Sequence, residues 1–171
     1  MGAAGWSVVS WYQAVHDESR ASGVVRDAAL QDAQQATINL NTLDYRRVQD
    51  GLTLWEQSAS GPLLEEVRAN RATYARVITE SKTTTTATAL GGGVADIDWR
   101  AGTARVLVGV DVTSAREGAE SSCVRRRIQL QMRRTDTGRV DSVWKVDKLA
   151  PVGAANPVPG ACPSVQPSPP R

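Results

Sequence analysis

The sequence predicts an α+β domain in which helices come first and a curled antiparallel sheet follows. Three observations predict it. Apolar residues recur at spacings of three and four up to about residue 81, and from Thr83 the period changes to two with β-branched residues dominating. Gly91, Gly92 and Gly93 then interrupt a strand-like stretch without polar turn flanks, which reads as a bulge bending one long strand. A bent strand curls its sheet. With 171 residues the chain can bury one domain core, and 41% apolar with 22% charged residues excludes a multi-span membrane protein and a wholly disordered chain.

The first helical piece carries Ala29, Ala33, Ala36, Leu40 and Leu43 on one face. Asp44 is placed to cap a second, short helix with Val48, Leu52 and Trp55 on its stripe. Ser60, Gly61 and Pro62 open a third, where Pro fits the first turn and Glu65 and Glu66 suit the positive end of the dipole. Its expected buried face is Leu63, Val67, Tyr74, Val77 and Ile78. The strands are expected in TTTTATAL with VADIDW, TARVLVGVDVT, CVRRRIQLQM and VDSVWKVDKL, joined by RAGT, SAREGAESS and TDTGR. About four antiparallel strands result.

Three segments follow from composition: residues 1–20, a domain over 21–152, and a Pro/Gly-rich tail at 153–171. The start, MGAAGWSVVSWYQAV, is nearly free of charge and meets HDESR at 16–20. It is too short for a spanning helix of roughly 20 apolar residues and lacks the parts of an export signal. Two readings stay open: the outer end of a membrane-spanning helix, with Trp6, Trp11 and Tyr12 at headgroup level, or an amphipathic helix packed on its own domain.

Strand alternation bears on chemistry. Val106, Val108 and Val110 share a face that Asp111 and Arg105 do not, and Asp96, Asp98 and Asp147 are likewise out of phase with their apolar neighbours. A carboxylate base inside the cone is therefore not expected from the strands, and Asp44 beside Tyr45 is the one helix-borne pair to inspect. His16 is the sole histidine and the two cysteines are far apart, so no metal-ligand spacing exists. The GGG run lacks the Lys and Ser/Thr of a phosphate loop. Arg125, Arg126 and Arg127 alternate in direction, and a net charge of +2 gives no nucleic-acid footprint. No catalytic residue, metal or cofactor is assigned. Tyr45, Trp55, Tyr74 and Trp144 fall on inner faces as core residues and are the candidate lining of a cone cavity, which admits a lipid.

The three helices and curled sheet describe the cone of nuclear transport factor 2-like domains. LDY at 43–45, SASGPLLEEV, ARVLVGVDVT at 104–113 and VWKVDKLAPV at 143–152 resemble, in order, words of the Mce-associated membrane protein family, apart from Leu64, where an aromatic is usual. That resemblance implies an actinobacterial cell-membrane protein with one spanning helix and an extracytoplasmic domain. It further implies a non-catalytic accessory subunit of a lipid or sterol importer of the mammalian-cell-entry type, partnered by transporter subunits. Alternatives kept open are a lipid-binding cavity protein, an assembly subunit of a type IV secretion or conjugation machine, and, last, a small enzyme. Export would place Cys123 and Cys162 in an oxidising compartment. If TDTGR is the hairpin turn, opposed residues sum to about 274. Pro151 then lies near Cys123, and the tail is expected to return Cys162 to it in a disulfide.

Overall fold

The computed structural model describes residues 4–135, 143–152 and Cys162, with side chains described from residue 23 onward. The order is α1 (Ala4–Asn41), β1 (Leu43–Asp44), a 3-10 turn (Tyr45–Arg47), α2 (Val48–Ser58), α3 (Gly61–Ser81), β2 (Thr83–Asp98), β3 (Thr103–Arg116), β4 (Ser122–Thr135) and β5 (Val143–Pro151). The strands form one antiparallel sheet in sequential order, β1 to β5. Helices lie against its concave face, the nuclear transport factor 2-like arrangement. The expected four strands are joined by β1, whose two residues are too few to leave a period in the sequence.

The core is an alanine seam set against valines. Ala29 and Ala33 are fully buried on α1, and they meet a sheet face of Val106, Val108, Val110, Leu130, Met132 and Val146, all nearly inaccessible. Small side chains let the helix backbone approach the sheet closely, while the branched residues fill the pleated face. Thr37, buried beside them, is satisfied by donating to the Ala33 carbonyl at 2.7 Å.

Curvature comes from β2, whose pairing with β3 shifts register between Ala89 and Gly91 and again between Val94 and Asp96. Gly92 is the tight point. A Cβ there would stand 2.5 Å from the Leu107 carbonyl oxygen and 3.3 Å from Leu30. Gly93, next to it, has nothing within 4 Å.

Both sheet edges are closed by polar groups from outside the sheet. On β5 the Trp144 amide donates to the Asp32 carboxylate at 2.8 Å, and the Val146 carbonyl accepts from the Ser60 amide at 2.8 Å. On β2 the Ala87 amide donates to Thr42 Oγ1 at 3.2 Å, and the Arg26 guanidinium donates to the Val94 carbonyl. An edge capped in this way offers less for strand addition.

Several local expectations are corrected. Leu43 belongs to β1 rather than to the α1 face. Asp44 caps the 3-10 turn, accepting from the Arg46 amide at 2.9 Å, and α2 starts after Arg47 with no side-chain cap. Of the face expected for α3 only Val67 is buried, and Val77 is 49% exposed, because the helix crosses the sheet margin. The β4–β5 register also differs. Thr135 already pairs with Val143, a sum of 278, because the connection is longer than TDTGR, and the register shift between Gln131 and Met132 raises the sum to 279, so that Leu130 pairs with Leu149 and Ile128 with Pro151. Trp6, Trp11 and Tyr12 fall within α1, and their side chains lie outside those described. Among the described residues no helix is long and apolar enough to cross a membrane.

The two adjacent glycines separate backbone clash from loss of flexibility. Gly92→Ala should lower stability by about 1 to 3 kcal/mol through forced backbone shifts, and Gly93→Ala should leave it unchanged or slightly higher. Thermal melts of the two variants check this, and equal losses would contradict the close approach at Gly92.

Candidate functional site

A cleft of about 530 Å³ opens where the helices meet β5, lined by Leu40, Trp55, Pro62, Leu63, Glu66, Val67, Tyr74 and residues 147–149. That volume lies in the range of small-molecule pockets. Trp55 and Tyr74 stand edge to face, ring centroids 5.9 Å apart at 68°. Of the four aromatics singled out in the sequence, these two line the cleft. Trp144 is buried in the core behind it, and Tyr45 lies under the Arg46 guanidinium, 4.5 Å from its ring centre.

The acids of the cleft are engaged. The Tyr74 hydroxyl donates to Glu66 Oε1 at 3.1 Å, and burial followed by this neighbouring carboxylate pushes the phenol above its ordinary value, so it stays protonated. Asp147 is buried at the register shift of β5, where it accepts from Arg133 at 3.3 Å. It also sits against Gly61, whose φ of 48° and lack of a side chain make room for the carboxylate. Asp44 is held by the Arg46 amide and by Thr84 Oγ1 at 3.4 Å, so the pair with Tyr45 is a junction of the fold. Trp55 Nε1 and Ser60 Oγ are buried without a partner among the described residues. Those residues hold no metal-binding group of three acids, histidines or cysteines. The cleft can take an apolar body, and its carboxylates already serve as acceptors.

The outer sheet face has a different character. Asp111 and Arg125 are opposed across β3 and β4 and form a two-pronged pair at 2.7 and 2.8 Å. Asp111 does point away from the core, yet it is buried, because the guanidinium lies over it. Alternation in the sequence gives the direction of a side chain and not what covers it. Arg105, Arg127, Gln129, Gln131 and Arg133 continue this face on β3 and β4. Arg127, Lys145 and Lys148 form no ion pair among the described residues.

Cys123, at the start of β4, is joined to Cys162 in a disulfide with Cα atoms 5.4 Å apart. The path to it is not the one the hairpin arithmetic implied. Pro151 stops opposite Ile128, and the Val152 amide still donates to the Arg127 carbonyl at 3.0 Å, so neither residue is level with Cys123.

Comparison with family models finds no match, and comparison with curated proteins finds none either. Solved structures do match. The periplasmic domain of DotI is 16% identical and covers 75% of this chain and 95% of its own, with a TM-score of 0.60. A periplasmic fragment of TraM is 16% identical over 72% of this chain and 94% of its own, with a TM-score of 0.56. An IcmL-like type IV secretion system protein from Legionella pneumophila is 15% identical over 72% and 91%, also at 0.56. At such identities the likeness is one of fold.

The kinship with Mce-associated membrane proteins expected from the sequence is therefore corrected, together with the lipid or sterol import it implied. The three structures named are periplasmic parts and a type IV secretion protein, and none of the three belongs to an Mce system. The four strings that suggested it are accounted for by the fold. LDY makes β1 and the cap of the 3-10 turn, Ser60–Pro62 starts α3, and the last two are alternating strands of one sheet.

The Asp111–Arg125 pair makes a pH-dependent contribution. The hydrogen bonds from Arg125, opposed by burial and helped by its charge, hold the Asp111 carboxyl below the usual carboxylate range. A depressed folded value means stabilisation present above the unfolded pKa and lost as pH falls through the folded one. Asp111→Asn should thus lower the melting temperature at neutral pH and weaken the decline below about pH 4. Parallel acid profiles for variant and wild type would contradict it.

Proposed function

We propose that this chain is a membrane-tethered, non-catalytic assembly subunit of a type IV secretion or conjugation machine, with its folded domain outside the cytoplasm. The observation that carries the reading is the match of the helix-lined cone to DotI, TraM and IcmL-like structures over 91–95% of their own lengths. The disulfide supports an extracytoplasmic domain, since such bonds persist in oxidising compartments.

Engagement of the carboxylates supports a non-catalytic role. Asp111 is held on both oxygens by Arg125, and Asp44, Glu66 and Asp147 each accept from a neighbouring group of the fold, which gives all four a structural part. With the sheet edges capped, the accessible surface is the outer sheet face, where Arg127, Lys145 and Lys148 can meet acidic groups of partner subunits. Transmission of subunit contacts through such a face asks for rigidity rather than turnover.

Purification of the tagged chain from native membranes, followed by mass spectrometry, tests the proposal. Channel or coupling subunits of a secretion or conjugation machine are expected in the eluate. Recovery in the soluble cytoplasmic fraction, or co-purification with lipid-importer subunits alone, would contradict it.

A further inference from the structure

The course of α1 along β2 fixes which end of the domain stands nearest the helix's N-terminal half. Thr42 meets Ala87, Leu30 packs at Gly92, and Arg26 reaches the Val94 carbonyl, so helix and strand run antiparallel in contact. From Thr42 to Arg26 the helix rises about 24 Å, and from Ala87 to Val94 the strand advances about 23 Å. The two keep step. Continued at this ratio, the β2–β3 hairpin tip at Trp99 comes level with about residue 15 of α1. In the sequence this is where the uncharged run MGAAGWSVVSWYQAV gives way to HDESR.

The tip is built to present Trp99. Asp98 Oδ1 accepts from the Arg100 and Ala101 amides at 3.0 and 2.9 Å, and the Gly102 carbonyl accepts from the Arg134 amide at 2.8 Å. The turn is therefore fixed from both sides. Trp99 nevertheless leaves 48% of its surface exposed, and the Arg100 guanidinium sits 4.8 Å from its ring centre. On α1, Val24 is 70% exposed at the same end. An indole with a cation beside it matches the headgroup layer of a bilayer, where Trp is favoured for its amphipathic ring and Arg meets phosphate.

We propose that the β2–β3 hairpin tip, Trp99 with Arg100, is a second contact with an anionic phospholipid surface, beside the N-terminal helix. It rests on the membrane-tethered reading above. Two contacts fix the domain's tilt where a single helix would leave it free to swing. Cys123 opposes Thr113, and Thr103 at the tip end opposes Arg133, so the disulfide lies ten residues of β4 away, about 33 Å along the strand. The tip faces the membrane and the disulfide end faces away from it.

The test uses the full chain with vesicles of phosphatidylcholine, with and without phosphatidylglycerol, carrying brominated acyl chains. Trp99 emission is read as the difference between wild type and Trp99→Phe, a change at an exposed position that leaves the core untouched. On anionic vesicles that emission should shift to the blue and be quenched by bromine, and Arg100→Gln should weaken partitioning about fivefold, from about 1 kcal/mol per cation. If the chain binds vesicles and the Trp99 emission does not change, the tether reading stands and the tip contact is overturned. If the chain binds no vesicle, both fail.

Discussion

The close approach of α1 to the sheet is the contact on which the remaining structure depends. It rests on alanine at 29 and 33 and branched residues at 106, 108 and 110, buried in one cluster, and on glycine at 92, where a Cβ would stand 3.3 Å from Leu30 and from Val108. The same helix supplies Arg26 and Asp32 to opposite edges of the sheet, and Thr42 follows directly after it. One element thus fills the cone and closes both of its edges. Loss of that approach would unpack the valine face and free the strand edges together.

Much of this was legible in the sequence, because burial on one face imposes a period. The alanine seam and the change from helical to strand spacing at Thr83 are consequences of one-sided burial and appear where they were read, whereas the bulges fall at Leu90 and Ala95, on either side of the paired Gly91–Gly93 run. What escaped detection depends on contacts between distant segments. The two-residue β1 has no period to read. The exposure of Val77 follows from where α3 crosses the sheet margin, and the β4–β5 register follows from a connection longer than its turn-like residues suggest. The cleft was half legible: Trp55 and Tyr74 were named from the pattern, while Glu66, Pro62 and Leu149 join it only because α3 lies over β5.

Local words also misled. The strings that resembled an Mce-associated protein form a turn cap, a helix start and alternating strands, elements that carry architecture more than ancestry. The structures that do resemble this chain share its architecture at 15–16% identity. Beside that likeness of fold, the domain carries carboxylates committed to structural hydrogen bonds, capped edges, a cationic outer face and a disulfide. Together these suit the proposed role of a rigid part between a membrane and partner subunits.

The central claim is that the folded domain works outside the cytoplasm, and the state of its cysteines in the living cell tests this most directly. Cells are quenched with acid, denatured, and alkylated before and after reduction, and the mass of the chain is measured. The account predicts no alkyl group before reduction and two afterwards, from Cys123 and Cys162 joined in the cell. Two groups taken up without reductant would mean that both thiols stay reduced, and would contradict the extracytoplasmic placement.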